Sequence, residues 1–105
     1  MNATFELING LERALQNPET FRVPDFGDVE SLSKGDIVKL IFSISFKNDH
    51  GEIENKIERM WVEITDAEFP FFDGVLTNDP FCTKEIKAGL ELNFEAQHII
   101  DIYEG

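Results

Sequence analysis

The sequence predicts an α+β fold in which an N-terminal helix packs on a curved antiparallel sheet of four to five strands, shaped as a half-open barrel. Apolar residues recur at helical spacing near the N-terminus and alternate with polar residues in several later stretches. Turn residues separate these stretches at short intervals, which is typical of an antiparallel meander. The 105 residues are 42% hydrophobic and include ten Phe, so residues 1–105 are expected to form a single domain around one core.

Residues 1–17 carry the predicted helix, which spans residues 3–16. The apolar positions on one face of this helix are Phe5, Ile8, Leu11 and Leu15. Asn2 or Thr4 is expected to cap its start, and Pro18 to end it. We expect an amphipathic helix that covers the core.

Residues 18–36 are interrupted by Pro and Gly and are predicted to form an irregular connection. Asp25, Asp28 and Glu30 lie in this segment as candidate ligands of a hard cation. Their spacing does not match that of a calcium-binding loop, so no metal site is predicted.

Residues 36–46 form the clearest predicted strand, because five apolar side chains alternate along it. Ile37 and Ile41 fall on its opposite face, which predicts that the helix covers the first half of that face as well. A turn at residues 48–51 leads to a second strand at residues 53–65. Its apolar residues change phase, which predicts a β-bulge near Glu58–Arg59.

The remaining elements of the predicted sheet follow at short intervals. A third strand spans residues 71–77 and ends at the turn Asn78-Asp79-Pro80. Residues 84–88 are predicted to form one helical turn, residues 90–94 the last clear strand, and residues 96–103 a short helix or strand. The β-rich core therefore covers residues 32–102.

Four stretches of this core share their pattern with a known group of proteins. They are Lys34–Phe42, Glu58–Glu63, Gly74–Pro80 and Phe94–Asp101. In this order, and with short gaps between them, they resemble a group of short bacterial proteins of unknown function, domain of unknown function 2314. The chain departs from the family pattern at Leu90, where Asp usually follows the residue equivalent to Gly89. The predicted helix lies outside the match.

The resemblance implies no established activity. Some relatives of this kind sit near toxin systems, where small acidic immunity proteins are common. It therefore implies an immunity- or antitoxin-like role, in which the chain binds a basic partner.

The charge composition favours the same class of partner. The chain has 9 Lys and Arg residues against 21 Asp and Glu residues, which gives a formal net charge of −12. Such a surface repels nucleic acids and anionic membranes and attracts basic proteins. The predicted acidic partner face follows the second strand and consists of Glu52, Glu54, Glu58, Glu63, Asp66 and Glu68.

A small-ligand site, with or without enzymatic activity, is the alternative hypothesis. Arg59 and Trp61 share one strand face, and a guanidinium beside an indole can hold an anion or a planar ligand. The candidate binding residues are Arg59, Trp61, Asn78, Asp79 and His98. The competing interpretation makes Trp61 a core residue, pairs Arg59 with a neighbouring Glu, and leaves residues 78–80 as a turn only.

Catalysis is not predicted. A cysteine nucleophile would require Cys82 with His98 and a carboxylate such as Asp101, and nothing in their spacing favours that arrangement. The chain has two His residues without the short spacing of zinc ligands, and no glycine-rich phosphate loop. We therefore predict that the protein is not an enzyme, and that it uses no cofactor and no metal.

Location and oligomeric state complete the predictions. A single cysteine fits a reducing compartment, the N-terminus lacks the features of a signal peptide, and no apolar run is long enough to cross a bilayer. We expect a cytoplasmic protein. It is either a monomer or a homodimer that pairs edge to edge through the strand at residues 37–46.

Overall fold

A computed structural model describes residues 3–104. Six strands, two short α-helices and one 3-10 helix alternate along this part of the chain. In chain order they are β1 (Thr4–Leu7), α1 (Gly10–Gln16), α2 (Phe26–Glu30), β2 (Ile37–Lys47), β3 (Ile53–Glu68), β4 (Phe71–Leu76), β5 (Glu91–Glu95), the 3-10 helix η1 (Ala96–His98) and β6 (Ile99–Ile102).

All six strands form one antiparallel sheet that curls into a half-barrel. This confirms the predicted α+β class and curved sheet, although the sheet has six strands instead of four or five. The order is β1-β2-β3-β4-β5, and β6 pairs with β2. Its inner face carries the main core, which includes Leu40, Phe42, Met60, Val62 and Ile64.

Strand β2 lies in the middle of this sheet. Strand β3 pairs along one edge of β2 over the whole length of β2. On the other edge, β1 pairs with residues 42–45 and β6 with residues 38–40. The edges of β2, one of which was predicted to pair in a homodimer, are therefore occupied within the chain.

The predicted helix over residues 3–16 is wrong in its first half. Thr4–Leu7 form β1, and the helix begins only at Gly10. The spacing of Phe5 and Leu7 also fits a strand, and these two side chains pack against the core. Asn9 caps α1, because its side chain accepts a hydrogen bond from the Glu12 N–H at 2.9 Å. Thr4 is therefore no cap, and Asn2 lies outside the described residues.

The predicted bulge near Glu58–Arg59 is also wrong. The β2–β3 register runs without a break from Ile37 opposite Glu63 to Lys47 opposite Ile53. The apolar phase changes because Ile53 and Ile57 lie on the outer face of the sheet, where 58% and 49% of their surface is exposed. The irregularity of this strand lies instead in its pairing with β4, between Ile64 and Asp66.

The outer face of the sheet is covered only in part. Ile41 and Ile100 are buried there, outside the main core cluster. Helix α1 contacts η1 and β6, and Gly10 lies directly on the Ile100 side chain. On this face of β2, Ile41 is buried, but the contacts of α1 are with η1 and β6, so coverage of the first half of β2 by the helix stays a prediction.

Two smaller predictions near the C-terminus have different outcomes. Residues 84–88 form bends and turns with no helical turn, and Ile86 is buried among them. Residues 96–103, left open as a helix or a strand, contain both, since η1 leads directly into β6.

Candidate functional site

The outer face of β3, β4 and β5 is lined by carboxylates. Residues that pair across antiparallel strands project from the same face, so the register places them in rows. One row joins Glu63, Val75 and Glu91, the next joins Asp66, Asp73 and Asn93, and the last joins Glu68, Phe71 and Glu95. We call the six carboxylates of these rows the acidic face: Glu63, Asp66, Glu68, Asp73, Glu91 and Glu95.

The strand segments that form the acidic face contain no positively charged residue. Residues 60–83 and 88–104 contain neither Lys nor Arg. A groove of about 510 Å³ crosses this face and is lined by Thr65, Asp73, Glu91 and Asn93, among others. An Asn93 side-chain N–H donates to the Asp73 carboxylate. The face is therefore a predominantly negative surface crossed by a groove.

Half of the predicted acidic residues belong to this face and half do not. Glu63, Asp66 and Glu68 are part of it, whereas Asp73, Glu91 and Glu95 were missed. The signal that finds the missed residues is their alternation with buried apolar neighbours in β4 and β5. Glu52, Glu54 and Glu58 lie towards the other end of β3. Glu52 is in the turn before the strand, and the other two are paired with Phe46 and Phe42 on its inward-facing side.

Glu58 has a structural role in its part of β3. Its two carboxylate oxygens accept hydrogen bonds from the backbone N–H groups of Phe81 and Cys82, each at 2.9 Å. Burial raises the pKa of the Glu58 carboxyl, but hydrogen bonds from the Cys82 thiol and from these two N–H groups outweigh burial and hold the pKa below its usual value. This carboxylate fastens residues 81–82 to the strand.

The same contact makes Cys82 a poor nucleophile. Burial raises the pKa of the Cys82 thiol to about 11, and the hydrogen bond and negative charge of Glu58 act in the same direction. The thiol is therefore protonated at neutral pH, whereas a nucleophilic cysteine requires the thiolate.

An exposed aromatic residue interrupts the acidic face. Phe71 lies between Glu68 and Glu95 in its row, and 61% of its surface is exposed. Beside it is a groove of about 420 Å³, which Phe94 and His98 help to line. The face thus offers an apolar contact surrounded by negative charge.

His98 is held by the backbone at the edge of this groove. Its Nδ1 atom accepts the Glu95 N–H at 2.9 Å, and the Glu95 side chain accepts the N–H of His98 in return. Burial lowers the pKa of His98, opposed by the negative charge of Glu95. Because Nδ1 accepts a hydrogen bond, the neutral ring carries its proton on Nε2.

Asn78 and Asp79 hold the turn that follows β4. Asn78 Oδ1 accepts the Trp61 N–H at 3.2 Å, and Asp79 Oδ1 accepts the Ala88 N–H at 2.8 Å. The Thr77 hydroxyl donates to the Trp61 carbonyl oxygen at 3.0 Å. Asn78 therefore binds the backbone of β3, and Asp79 binds the backbone of the loop that precedes β5.

Arg59 and Trp61 share the outer face of β3, as predicted. The Arg59 guanidinium lies 5.4 Å from the centroid of the Phe21 ring, and Lys39 Nζ lies 4.7 Å from that of Trp61. Tyr103 packs edge-on against the indole, with a centroid separation of 5.7 Å. Trp61 is half-buried, so it is neither a core residue nor an open ligand platform.

A groove of about 210 Å³ lies next to these side chains. It is lined by Thr20, Phe21, Arg22, Lys39, Arg59, Ile100 and Asp101. Asn78 adjoins the backbone of Trp61, whereas His98 lines the separate groove beside Phe71. The five candidate binding residues are therefore distributed over more than one place, and Arg22 and Lys39 were missed.

A comparison of the chain with protein-family models, with curated proteins and with solved structures found no match. The resemblance to domain of unknown function 2314 rests on the four sequence stretches alone. In residues 3–104, no helix is long and apolar enough to cross a membrane. In the same part of the chain, no three or more His, Cys, Asp and Glu side chains form a group that could hold a metal ion, including those around Asp25, Asp28 and Glu30.

Proposed function

We propose that this protein is a non-enzymatic interaction module whose acidic face binds a basic protein, as an immunity protein or antitoxin binds a toxin. The acidic face carries this proposal: six carboxylates from three strands lie on one surface that has no Lys or Arg of its own. The resemblance to bacterial proteins that sit near toxin systems supports the same role. The single cysteine fits a complex that forms in the cytoplasm.

The acidic face supplies long-range attraction. A concentrated negative surface steers a basic partner and raises the association rate, and salt weakens this effect. Charge on the rim of an interface changes the association rate and its salt dependence more than it changes the dissociation rate. We therefore expect the acidic face to act mainly on association.

Phe71 supplies short-range affinity. A few residues near the centre of an interface contribute most of its binding energy, and aromatic residues are common among them where the surrounding contacts exclude water. Phe71 is exposed between Glu68 and Glu95. The expected partner surface is consequently a ring of Lys and Arg around an apolar pocket.

The test begins with capture of partners from a lysate of the source cell by the tagged protein, with elution by increasing salt. Association and dissociation rates of the captured basic protein are then measured for two double variants. Glu63→Lys with Glu91→Lys reverses charge on the acidic face, and Glu52→Lys with Glu54→Lys makes the same change at the other end of β3.

We expect the first double variant to slow association at low salt by about tenfold, and the second by much less. Phe71→Ala is expected to raise the dissociation rate and leave association nearly unchanged. Equal effects of the two double variants would contradict the proposed face, and a partner without excess positive charge would contradict the proposal as a whole.

The small-ligand alternative is favoured by a different observation, the cations around Arg59. It concerns another surface of the molecule.

A further inference from the structure

We propose that the groove beside Arg59 binds a small oxyanion, such as a carboxylate or phosphate group. We call it the cationic groove and define it by Arg22, Lys39 and Arg59, with Phe21, Ile100 and Asp101 completing its walls. This site is independent of the acidic face and of the partner proposed for it.

The distribution of charge is the first argument. Three of the chain's nine Lys and Arg residues line this one groove, in a protein with 21 acidic residues. Asp101 is the one carboxylate that lines it, and its Oδ1 accepts the N–H of Ile102 at 2.9 Å. The groove therefore has a formal charge of +2 while the protein as a whole has −12. A bound anion would reduce the mutual repulsion of the three cations.

The way in which the cations are held is the second argument. Arg59 lies over the Phe21 ring and Lys39 over the Trp61 ring, which Tyr103 supports from its edge. An aromatic face attracts a cation without neutralising its charge and without using its N–H groups. These donors keep their capacity for an oxyanion, which a guanidinium binds with two parallel hydrogen bonds.

The sheet fixes the positions of these side chains. Lys39 lies opposite Trp61 on β3 and opposite Asp101 on β6, and Arg59 lies one outward position from Trp61. Ile41, the partner of Arg59 across the strands, is fully buried, and Ile100 is nearly so. Charges beside an apolar floor interact more strongly than charges surrounded by water.

The size of the groove limits the ligand. A volume of about 210 Å³ accommodates one small anionic group and is below the range of typical drug-sized pockets. The negative charge of the rest of the chain disfavours polyanions. The inferred ligand is thus a small molecule with a single carboxylate or phosphate group.

The experiment is an NMR titration of the isotope-labelled full-length chain with inorganic phosphate and, separately, with acetate, at constant ionic strength adjusted with sodium chloride. We expect saturable shifts of backbone amides at residues 20–22, 39, 59 and 101 with at least one of the two anions. Saturation with phosphate alone identifies a phosphoryl ligand, with acetate alone a carboxylate ligand, and with both the shared oxyanion chemistry.

Four variants separate binding from general electrostatics. Arg59→Gln and Lys39→Gln are each expected to weaken binding about tenfold, since each removes a charge-assisted hydrogen bond. Lys47 lies outside the groove, on the same strand and the same face as Lys39. Lys47→Gln is therefore expected to leave binding unchanged within about twofold.

Asp101→Asn removes the one opposing charge and is expected to tighten binding several-fold, a gain that a purely structural role of the groove does not produce. This variant also keeps the test decisive if Arg59→Gln fails to fold. Shifts that rise linearly without saturation for both anions, or an equal loss in Lys47→Gln and Arg59→Gln, would overturn the proposal.

Discussion

The two halves of the sheet's outer face follow the same alternation and have opposite properties. The half around β2 and β6 is partly covered by α1 and the following segment, and its groove carries Arg22, Lys39 and Arg59. The half formed by β4, β5 and the end of β3 carries six carboxylates and is exposed. An elongated sheet thus separates positive from negative charge within a chain of 105 residues.

The difference indicates that what each half can bind depends on whether other elements pack over it, more than on its residue composition. Gly10 has no side chain, so α1 can lie directly on Ile100, where a β-carbon would collide with its methyl group. The segment that follows α1 contributes Thr20, Phe21 and Arg22 to the walls of the groove. The acidic half has no cover in the described part of the chain, so it presents charge on an extended surface. The first is suited to a small ligand and the second to a protein.

The largest expected effect is on the packing beneath the acidic half. In Gly74→Ala, the new β-carbon would lie 2.6 Å from Val62 Cγ1 and 2.7 Å from the Glu63 carbonyl oxygen. Because a backbone atom cannot move aside cheaply, we expect the free energy of unfolding to fall by about 3 kcal/mol. Urea denaturation measures this change.

Gly27→Ala in α2 is the matched control, since a β-carbon there has no neighbour within 4 Å. It is expected to leave stability unchanged or raise it by up to about 1 kcal/mol. Equal losses in the two variants would show that Gly74 is not needed for close packing.

The next effect concerns the loop at residues 81–82, which Glu58 fastens to β3. Glu58→Gln weakens the hydrogen bonds from the N–H groups of Phe81 and Cys82, so we expect a loss of about 1–2 kcal/mol. Glu54→Gln, on the same strand and the same inward-facing side as Glu58, is the control and is expected to cost less than about 0.5 kcal/mol.

The contribution of Glu58 also depends on pH. The pKa of its carboxyl is lower in the folded protein than the ordinary value of 4.5. Its stabilisation is therefore complete above pH 4.5 and is lost as the pH falls through the folded-state pKa. Denaturation at pH 7 and at pH 3 should show a smaller difference between the wild type and Glu58→Gln at the lower pH, and a constant difference would contradict this assignment.

Much of the fold could be predicted from local patterns. The alternation in β2 and β4 is clear, because the even-numbered residues of both strands are buried and Ile41 is the one buried exception. The N-terminus was misread, since Phe5 and Leu7 fit a helix and a strand equally well and only pairing with β2 decides between them. The change of phase in β3 was misread as a bulge because exposed Ile53 and Ile57 resemble core residues in a sequence.

The candidate sites were less predictable because they depend on register. Glu63 and Glu91 are far apart in the chain. They lie in one row of the sheet because both pair with Val75 of β4, which no local pattern reveals. Phe21 and Arg22 lie in an irregular segment without periodicity, so nothing indicated that they approach Arg59. Strand β4 ends before residues 78–80, as predicted, but the Asn78 and Asp79 side chains bind the backbone of Trp61 and Ala88, which are distant in the sequence.

A smaller effect is expected where the acidic half meets η1. The pKa of His98 is lower in the folded protein than the ordinary value of 6.5, so the folded state favours the neutral ring. Stability from His98 is complete at higher pH and falls as the pH drops below 6.5, because the unfolded chain takes up the proton first. We expect His98→Asn to cost about 1 kcal/mol at pH 8, through loss of the hydrogen bond from the Glu95 N–H.

Unfolding of the wild type and His98→Asn from pH 8 to pH 5 tests this directly. The difference between them should shrink as the pH falls. His50→Asn, in the exposed β2–β3 turn, is the control for the other imidazole. A difference that widens at low pH would mean that protonated His98 stabilises the fold.

The smallest expected effect measures what the acidic face costs in stability. Asp66 and Asp73 lie directly opposite each other on β3 and β4, and like charges in this position are destabilising. Asp66→Lys replaces the repulsion by an attraction across the strands, so we expect a gain of about 0.5 kcal/mol that disappears in 1 M salt. Glu52→Lys makes the same change of charge in a turn and should gain less. If Asp66→Lys is stabilising yet slows association with the basic partner, the acidic face is maintained for binding at the expense of stability. A loss of stability would instead show that Asp66 is fixed by packing, and the contrast between the two halves would then be structural.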